Sequence, residues 1–270
     1  MMERSATIMG AIIGDTIGST YEFNPTKDYN FPLYDDAMNY TDDSIMTIAV
    51  ADWILKDESL SSERLIHTMR YYGNKYNPPK GGYGHLFSEW LRHAEMKAYN
   101  SWGNGSAMRV SAIGFAFPTL DKTLKVAEIS AAVTHNHPEG IKGAQATAAA
   151  IFLARKGESK ETIRKYITET FGYNLNRTCE EIRPTYLFEA SCQETVPQAI
   201  VAFLDSKDYL DAIRLGISLG GDADTIAAIT GAIAAAFYKK VPLELYDRVL
   251  AKLPKDLEAI TLLFEAKVLA

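Results

Sequence analysis

Five short segments carry more acid, hydroxyl and glycine than a helical framework needs. In YTDDS, residues 40–44, Thr41, Asp42 and Asp43 stand just ahead of an apolar, helix-patterned run. One reading is a helix cap, with a hydroxyl and a carboxylate satisfying the free N–H groups and dipole of a helix start. That accounts for Thr41 and one aspartate. The second repels the first, and a hard divalent cation would remove the repulsion. Oxygen donors of this kind suit Mg²⁺, Mn²⁺ or Ca²⁺, not zinc or copper. GGDADT, residues 220–225, repeats the pattern about 180 residues later: Asp222, Asp224 and Thr225 begin another Ala/Ile-rich run. Brought together, the two helix starts would supply five or six oxygen ligands, enough for a two-metal carboxylate site.

Three further segments are chemically suggestive. GDTIGSTYEF, 14–23, sets Asp15 on a glycine-rich helix face and Glu22 just past the end. Asp15 reads equally as a solvated or capping carboxylate and as a site residue. WGNGSAMR, 102–109, flanks Asn104 with glycines before Ser106 starts a helix. Backbone N–H groups at such a turn bind phosphate, although a simple N-cap turn has the same spelling. Arg109 either pairs with an acid or lies near substrate. In THNHPEG, 134–140, His135 and His137 are two residues apart and share no helix face, so no metal site is expected from them. His135 is read as a substrate hydrogen-bond donor and His137 as a structural loop residue.

These segments must be positioned almost entirely by helices. Period-2 alternation is scarce, while helical spacing with small residues is common. Helices are expected over 5–19, 42–56, 61–72, 86–98, 106–116, 121–134, 138–156, 159–171, 194–204, 208–219, 224–238, 242–252 and 255–267, many ending at Gly or before Pro. Gly10, Gly14 and Gly18 recur every four residues in the first. Each costs about 1 kcal/mol against alanine in a helix, a loss that close helix packing can offset. Residues 73–85, rich in Gly and Pro, read as a loop, and 172–193 as an irregular excursion. No linker or long-period repeat divides the chain, so residues 1–270 read as one all-α domain, a compact orthogonal bundle rather than a plain four-helix one.

Composition narrows the function classes. A chain of 270 residues with 47% hydrophobic and 23% charged residues can bury a large core without disulfides or metals as staples. A net charge of −6 argues against a general nucleic-acid or anionic-membrane binder. Cys179 and Cys192 have no CxxC spacing and read as reduced thiols. The longest apolar run, 226–238, is too short to span a bilayer, and the first residues lack the pattern of a signal peptide. A cytoplasmic protein is expected, with a monomer as the default.

Taken in order, GDTIGSTYEF, YTDDSIMTIAVADWIL, GNGSAMRVSAIGF, THNHPEGIKGAQATAAAIFLA and GGDADTIAAITGAIAAAFY resemble the ADP-ribosylglycohydrolase family, which includes the bacterial dinitrogenase reductase-activating glycohydrolases and the animal ADP-ribosylhydrolases. The resemblance spans roughly residues 6 to 265. It implies an orthogonal all-α bundle holding two Mg²⁺ or Mn²⁺ ions, with Thr41, Asp42, Asp43, Asp222, Asp224 and Thr225 as ligands. Glu22 would lie beside the ribose, and Glu22, or Asp42 or Asp43 freed from full metal ligation, would be the general acid or base. Gly103, Asn104, Gly105, Ser106 and His135 would contact ADP-ribose. Two departures stand out: Ala223 replaces the middle threonine of a common GGDTDT, and Ser44 replaces the threonine of TDDT. Neither removes an implied ligand.

The implied reaction is hydrolysis of the glycosidic bond at C1″ of an ADP-ribosyl group, releasing ADP-ribose from a modified protein or small acceptor. Nucleic acid would be a partner only as an ADP-ribosylated substrate. The alternatives are a non-enzymatic ADP-ribose-binding module and a two-metal phosphohydrolase cutting the diphosphate. Acceptor choice is expected to reside in segments 24–39, 73–84 and 172–193, since loops carry the variable, substrate-facing chemistry.

Overall fold

The glycine repeat decides where the first helix goes. In the computed structural model, which describes residues 2–93 and 97–269, helix α1 (Met9–Gly18) is buried along its whole length. Its glycine face lies directly on the late helix α13 (Ala223–Tyr238). A Cβ added at Gly14 would sit 2.0 Å from the carbonyl oxygen of Ala227, and one at Gly18 would sit 2.5 Å from Cα of Asp224. Backbone meets backbone, so the loss of helix propensity is offset by contact that no larger residue allows. Gly14→Ala is expected to force the two helices apart and to destabilise the protein by about 3 kcal/mol or more. At about 2–4 °C per kcal/mol for a chain of this size, a melting temperature within 2 °C of wild type would show that the helices can slide without loss.

Around this pair, α2 (Asp42–Lys56), α3 (Ser62–Lys75) and α4 (His85–Arg92) follow in sequence. After them come α5 (Gly105–Met108), α6 (Ser111–Ala116), α7 (Leu120–Ala132), α8 (Pro138–Arg155) and α9 (Lys160–Phe171). The chain continues through α10 (Cys179–Ile182), α11 (Cys192–Asp205) and α12 (Tyr209–Ser218) to α13, then α14 (Leu243–Leu250) and α15 (Lys255–Leu269). The only sheet among the described residues is a two-residue antiparallel pairing, Glu3–Arg4 with Val241–Pro242. Helix α13 is buried from Ala223 to Ala236 and is enclosed by α1, α8, α11 and α12. The architecture is the all-α bundle the sequence predicts. No helix among the described residues is long and apolar enough to cross a membrane. Cys179 and Cys192 are buried, unbonded thiols.

Two helix starts are capped by distant carboxylates. Glu265 accepts from the Thr7 amide at 2.7 Å and the Met9 amide at 3.1 Å, closing α15 onto the start of α1. Asp15 does the same for α2, as described below.

Several boundaries differ from the sequence reading. The helix expected over 106–116 is two short ones, α5 and α6. In a continuous helix the Arg109 amide would bond the Gly105 carbonyl, but the Arg109 guanidinium takes that carbonyl at 3.1 Å. The helix expected over 86–98 ends at Arg92, and residues 94–96 lie outside the described ones. Helix α3 runs on to Lys75, into the segment read as loop, and 172–193 contains the short α10, fixed by a capping box between Thr178 and Glu181.

Candidate active site

Asp15 is the hub on which the site is assembled. Its carboxylate is fully buried and accepts from the Thr41 amide at 3.0 Å, the Thr41 hydroxyl at 2.6 Å and the Ser44 amide at 3.2 Å. The Ser44 hydroxyl donates to it as well. Thr41 in turn accepts from the Asp43 amide at 3.2 Å. The free amides at the start of α2 are therefore satisfied by a carboxylate from another helix as well as by their own N-cap. Sequence reading leaves Asp15 between a capping and a site role; it caps α2 and also stands in a carboxylate cluster. The glycine face of α1 is the signal, because Gly18 lies against the Asp224 backbone and so brings Asp15 to the start of α13.

The two aspartate motifs meet there. Carboxylate oxygens of Asp15, Asp43 and Asp224 lie within 4.8 Å of one another, as do those of Glu22, Asp222 and Asp224. The Thr225 hydroxyl donates to Asp43 at 3.2 Å, tying the start of α13 to that of α2. Gly220 and Gly221, with φ of 76° and 74°, make the turn that delivers α13 into this position. Asn104 donates to Asp222 at 2.7 Å and to the Thr195 hydroxyl at 3.1 Å, so its side chain orients a carboxylate. Asp42 is half-buried and lines the same cleft, although its carboxylate belongs to neither close cluster.

The electrostatics are those of carboxylates short of positive charge. Burial holds Asp42, Asp43 and Asp224 well above the ordinary aspartate range, and neighbouring carboxylates push them further. Asp15 and Asp222 are raised too, by burial, against the hydrogen bonds they accept. Glu22 is pushed up to about 7, first by burial and then by the charges of Asp222 and Asp15. One oxygen of Asp43, Oδ1, is buried with no hydrogen-bond partner. An unpartnered carboxylate oxygen inside a ring of hard oxygen donors is what divalent cations occupy, and the donor set fits Mg²⁺, Mn²⁺ or Ca²⁺.

Glu22, Asp42, Asp43, Asp222, Asp224 and Thr225 form the floor of a cleft of about 420 Å³, whereas Asp15 and Thr41 are not among its lining residues. Gly103, Asn104, Gly105 and His135 line its wall, whereas Ser106 does not. The Ser106 hydroxyl is buried and donates to the Gly140 carbonyl at 2.7 Å, so its side chain braces α5 against α8. The amides of Gly103 and Asn104 are already committed to the Ser101 hydroxyl and the Ala190 carbonyl. Among the described residues, only the amides of Gly105 and Ser106 remain unspent at this turn. His137 caps α8 by accepting from the Glu139 amide at 3.1 Å.

Two of the segments expected to face substrate, 73–84 and 172–193, supply part of the lining. Gly81–Gly84 lie over Glu22, with space for no Cβ at Gly81, where one would stand 2.6 Å from Glu22 Oε2. Phe23 and Phe188, both exposed, face each other at the mouth with ring centroids 6.4 Å apart and planes 22° from parallel. Of the three segments expected to face substrate, 24–39 contributes no lining residue. Arg214 holds it to α12 through the carbonyls of Tyr29 and Phe31, and the Tyr29 hydroxyl donates to Asp211 at 2.6 Å.

Fold and cleft together define an all-α protein whose acidic floor suits divalent cations and whose wall carries a glycine-flanked turn and a buried histidine. The chain belongs to the ADP-ribosylglycohydrolase family, whose model it matches over residues 5–268. It is 27% identical over 308 residues to ADP-ribosylhydrolase ARH3 of Homo sapiens, covering 86% of this chain and 84% of that protein. It is also 27% identical over 264 residues to ADP-ribosylarginine hydrolase Tri1 of Pseudomonas putida (strain GB-1), covering 86% and 69% respectively. A solved structure titled ADP-ribosylglycohydrolase-related protein complex superposes with a TM-score of 0.72 at 20% identity, over 95% of this chain and 94% of the other, a likeness of fold.

Proposed function

We propose that this protein is a divalent-metal-dependent hydrolase that cleaves the glycosidic bond at C1″ of an ADP-ribosyl group. The observation that carries this reading is the meeting of the two aspartate helix starts on the floor of one cleft, beside Glu22 and below the Gly103–Gly105 turn. Family membership and the relatives' names support the same chemistry.

Thr41, Asp42, Asp43, Asp222, Asp224 and Thr225 would hold two cations, Mg²⁺ or Mn²⁺, with Asp15, whose carboxylate is taken up by Thr41 and Ser44, holding the start of α2 in place behind them. Bound there, the cations supply the charge that the carboxylates lack and a fixed anchor for ribose hydroxyls. The residues of the chain do the rest. Hydrolysis breaks the bond between C1″ and the acceptor's nitrogen or oxygen, with positive charge developing on the ribose, and water adds at C1″. Glu22, at the edge of the cluster, transfers the proton, to the leaving group or from the water. The Gly105 amide and His135 meet the diphosphate side.

Incubation with ADP-ribosyl-arginine, ADP-ribosyl-serine, an ADP-ribosylated nucleobase and O-acetyl-ADP-ribose, with Mg²⁺ or Mn²⁺, tests the reading. Free ADP-ribose from at least one conjugate is the expected product. AMP plus a ribose phosphate would identify a phosphohydrolase, and binding without turnover a reader module. On the conjugate that is cleaved, Glu22→Gln is expected to slow turnover by roughly 10²–10⁴-fold while cation binding, followed by calorimetry, is largely kept. An unchanged rate would remove Glu22 from the chemistry.

A further inference from the structure

Arg109 is 1% exposed, and among the described residues no carboxylate pairs with it. A buried guanidinium without a counter-ion is costly, so its partners must matter. It donates to the carbonyls of Gly105 at 3.1 Å and Ser130 at 2.7 Å, and to the Thr134 hydroxyl at 2.9 Å, while its Nε has no partner. The Thr134 hydroxyl lies 2.7 Å from Nδ1 of His135. A threonine hydroxyl has two lone pairs and one proton. Arg109 fills one lone pair. Among the described residues the hydroxyl's one other hydrogen-bond partner is His135 Nδ1, the only acceptor within reach of its proton. The proton of Thr134 is left for His135 Nδ1, which must be bare to accept it.

The other ring nitrogen faces the cleft wall. Cβ atoms placed on Gly103 and Gly105 would stand 3.5 and 3.2 Å from Nε2 of His135, so both glycines keep the space at that nitrogen open. We propose that Arg109 and Thr134 are positioning residues that lock His135 as the Nε2–H tautomer, so that a fixed imidazole N–H points at the Gly103–Gly105 turn as a donor to an oxygen of the bound ligand. Burial and the adjacent Arg109 charge also keep the ring neutral, so its one proton stays on one nitrogen. The ligand half of this inference rests on the proposed function; the tautomer half does not.

Nitrogen-15 NMR of histidine-labelled, cation-loaded full-length protein without substrate reads the tautomer directly, and calorimetry with ADP-ribose reads its use. Wild-type His135 is expected to show a protonated Nε2 and a bare Nδ1. Thr134→Val, nearly isosteric, is expected to lose that signature and to weaken ADP-ribose about 10-fold, the worth of one well-placed hydrogen bond. Thr134→Ser is expected to restore both. A wild-type ring protonated on Nδ1, or Thr134→Val with unchanged tautomer and affinity, overturns the relay. A correct tautomer in a wild-type protein that binds no ADP-ribose overturns the functional reading instead. Thr134→Val avoids the folding risk of emptying the Arg109 site, and matching melting temperatures for the Val and Ser variants would show that the Val effect is not loss of fold.

Discussion

Asp224→Asn should lose more than about 100-fold in turnover, beyond the 10–100-fold that follows from disturbing residues outside a metal's own ligands. Asp224 is almost fully buried and belongs to both close carboxylate clusters, one with Asp15 and Asp43 and the other with Glu22 and Asp222. Its replacement has a second consequence of opposite sign. In the metal-free protein, removing one buried negative charge relieves Asp222, Asp43 and Glu22, which repel it. The metal-free variant should therefore melt above the metal-free wild type, and should gain far less on adding Mn²⁺ or Mg²⁺. Thermal denaturation of both proteins in chelator and in excess cation gives the four numbers needed. A variant that falls below wild type in chelator would mean that these carboxylates are held by hydrogen bonds rather than strained by charge.

The wild-type protein in chelator should lose stability as pH rises. Asp15, Asp42, Asp43, Asp222 and Asp224 are all raised in the folded state, and Glu22 is pushed up to about 7. A raised carboxylate binds its proton more tightly folded than unfolded, so its contribution is fully present below the unfolded value, about 4, and disappears as pH climbs through the folded value. For Glu22 that window runs from about 4 to about 7. Cations compete with those protons, so cation stabilisation should grow over the same range. At a cation concentration 100 times Kd, each filled site adds about 2.7 kcal/mol. Melting curves at pH 5 and pH 8, with and without cation, check this. Equal cation-induced shifts at the two pH values would contradict it.

The helical architecture can be read from the chain because small residues at helical spacing and Gly or Pro stops are local signals. The two aspartate helix starts are legible for the same reason. Their meeting is not a local fact. It depends on the glycine face of α1 lying on α13, and that contact also turns Asp15 from an ambiguous carboxylate into the hub of the site. Ser106 misleads because a helix-start serine next to glycine looks alike whether it faces a ligand or, as here, the Gly140 carbonyl. Arg109 splits an expected helix for a reason invisible in spacing, since only the folded core shows its guanidinium taking the Gly105 carbonyl. The segment 24–39 carries the turn residues of a substrate loop, but its sequence does not disclose that Arg214 will hold it to α12.

The contact between α1 and α13 joins stretches of chain about two hundred residues apart. Synthesis proceeds from the N-terminus, so Asp15 and Asp43 exist well before Asp222 and Asp224 are made. The chain must be made through Asp224 before the floor of the cleft has all its acids. Until then a nascent chain would offer cations only a fragment of the proposed ligand set, and a prematurely terminated one would never offer more. Under the proposed function, the order of the helices would delay a complete metal site until Asp224 has been made.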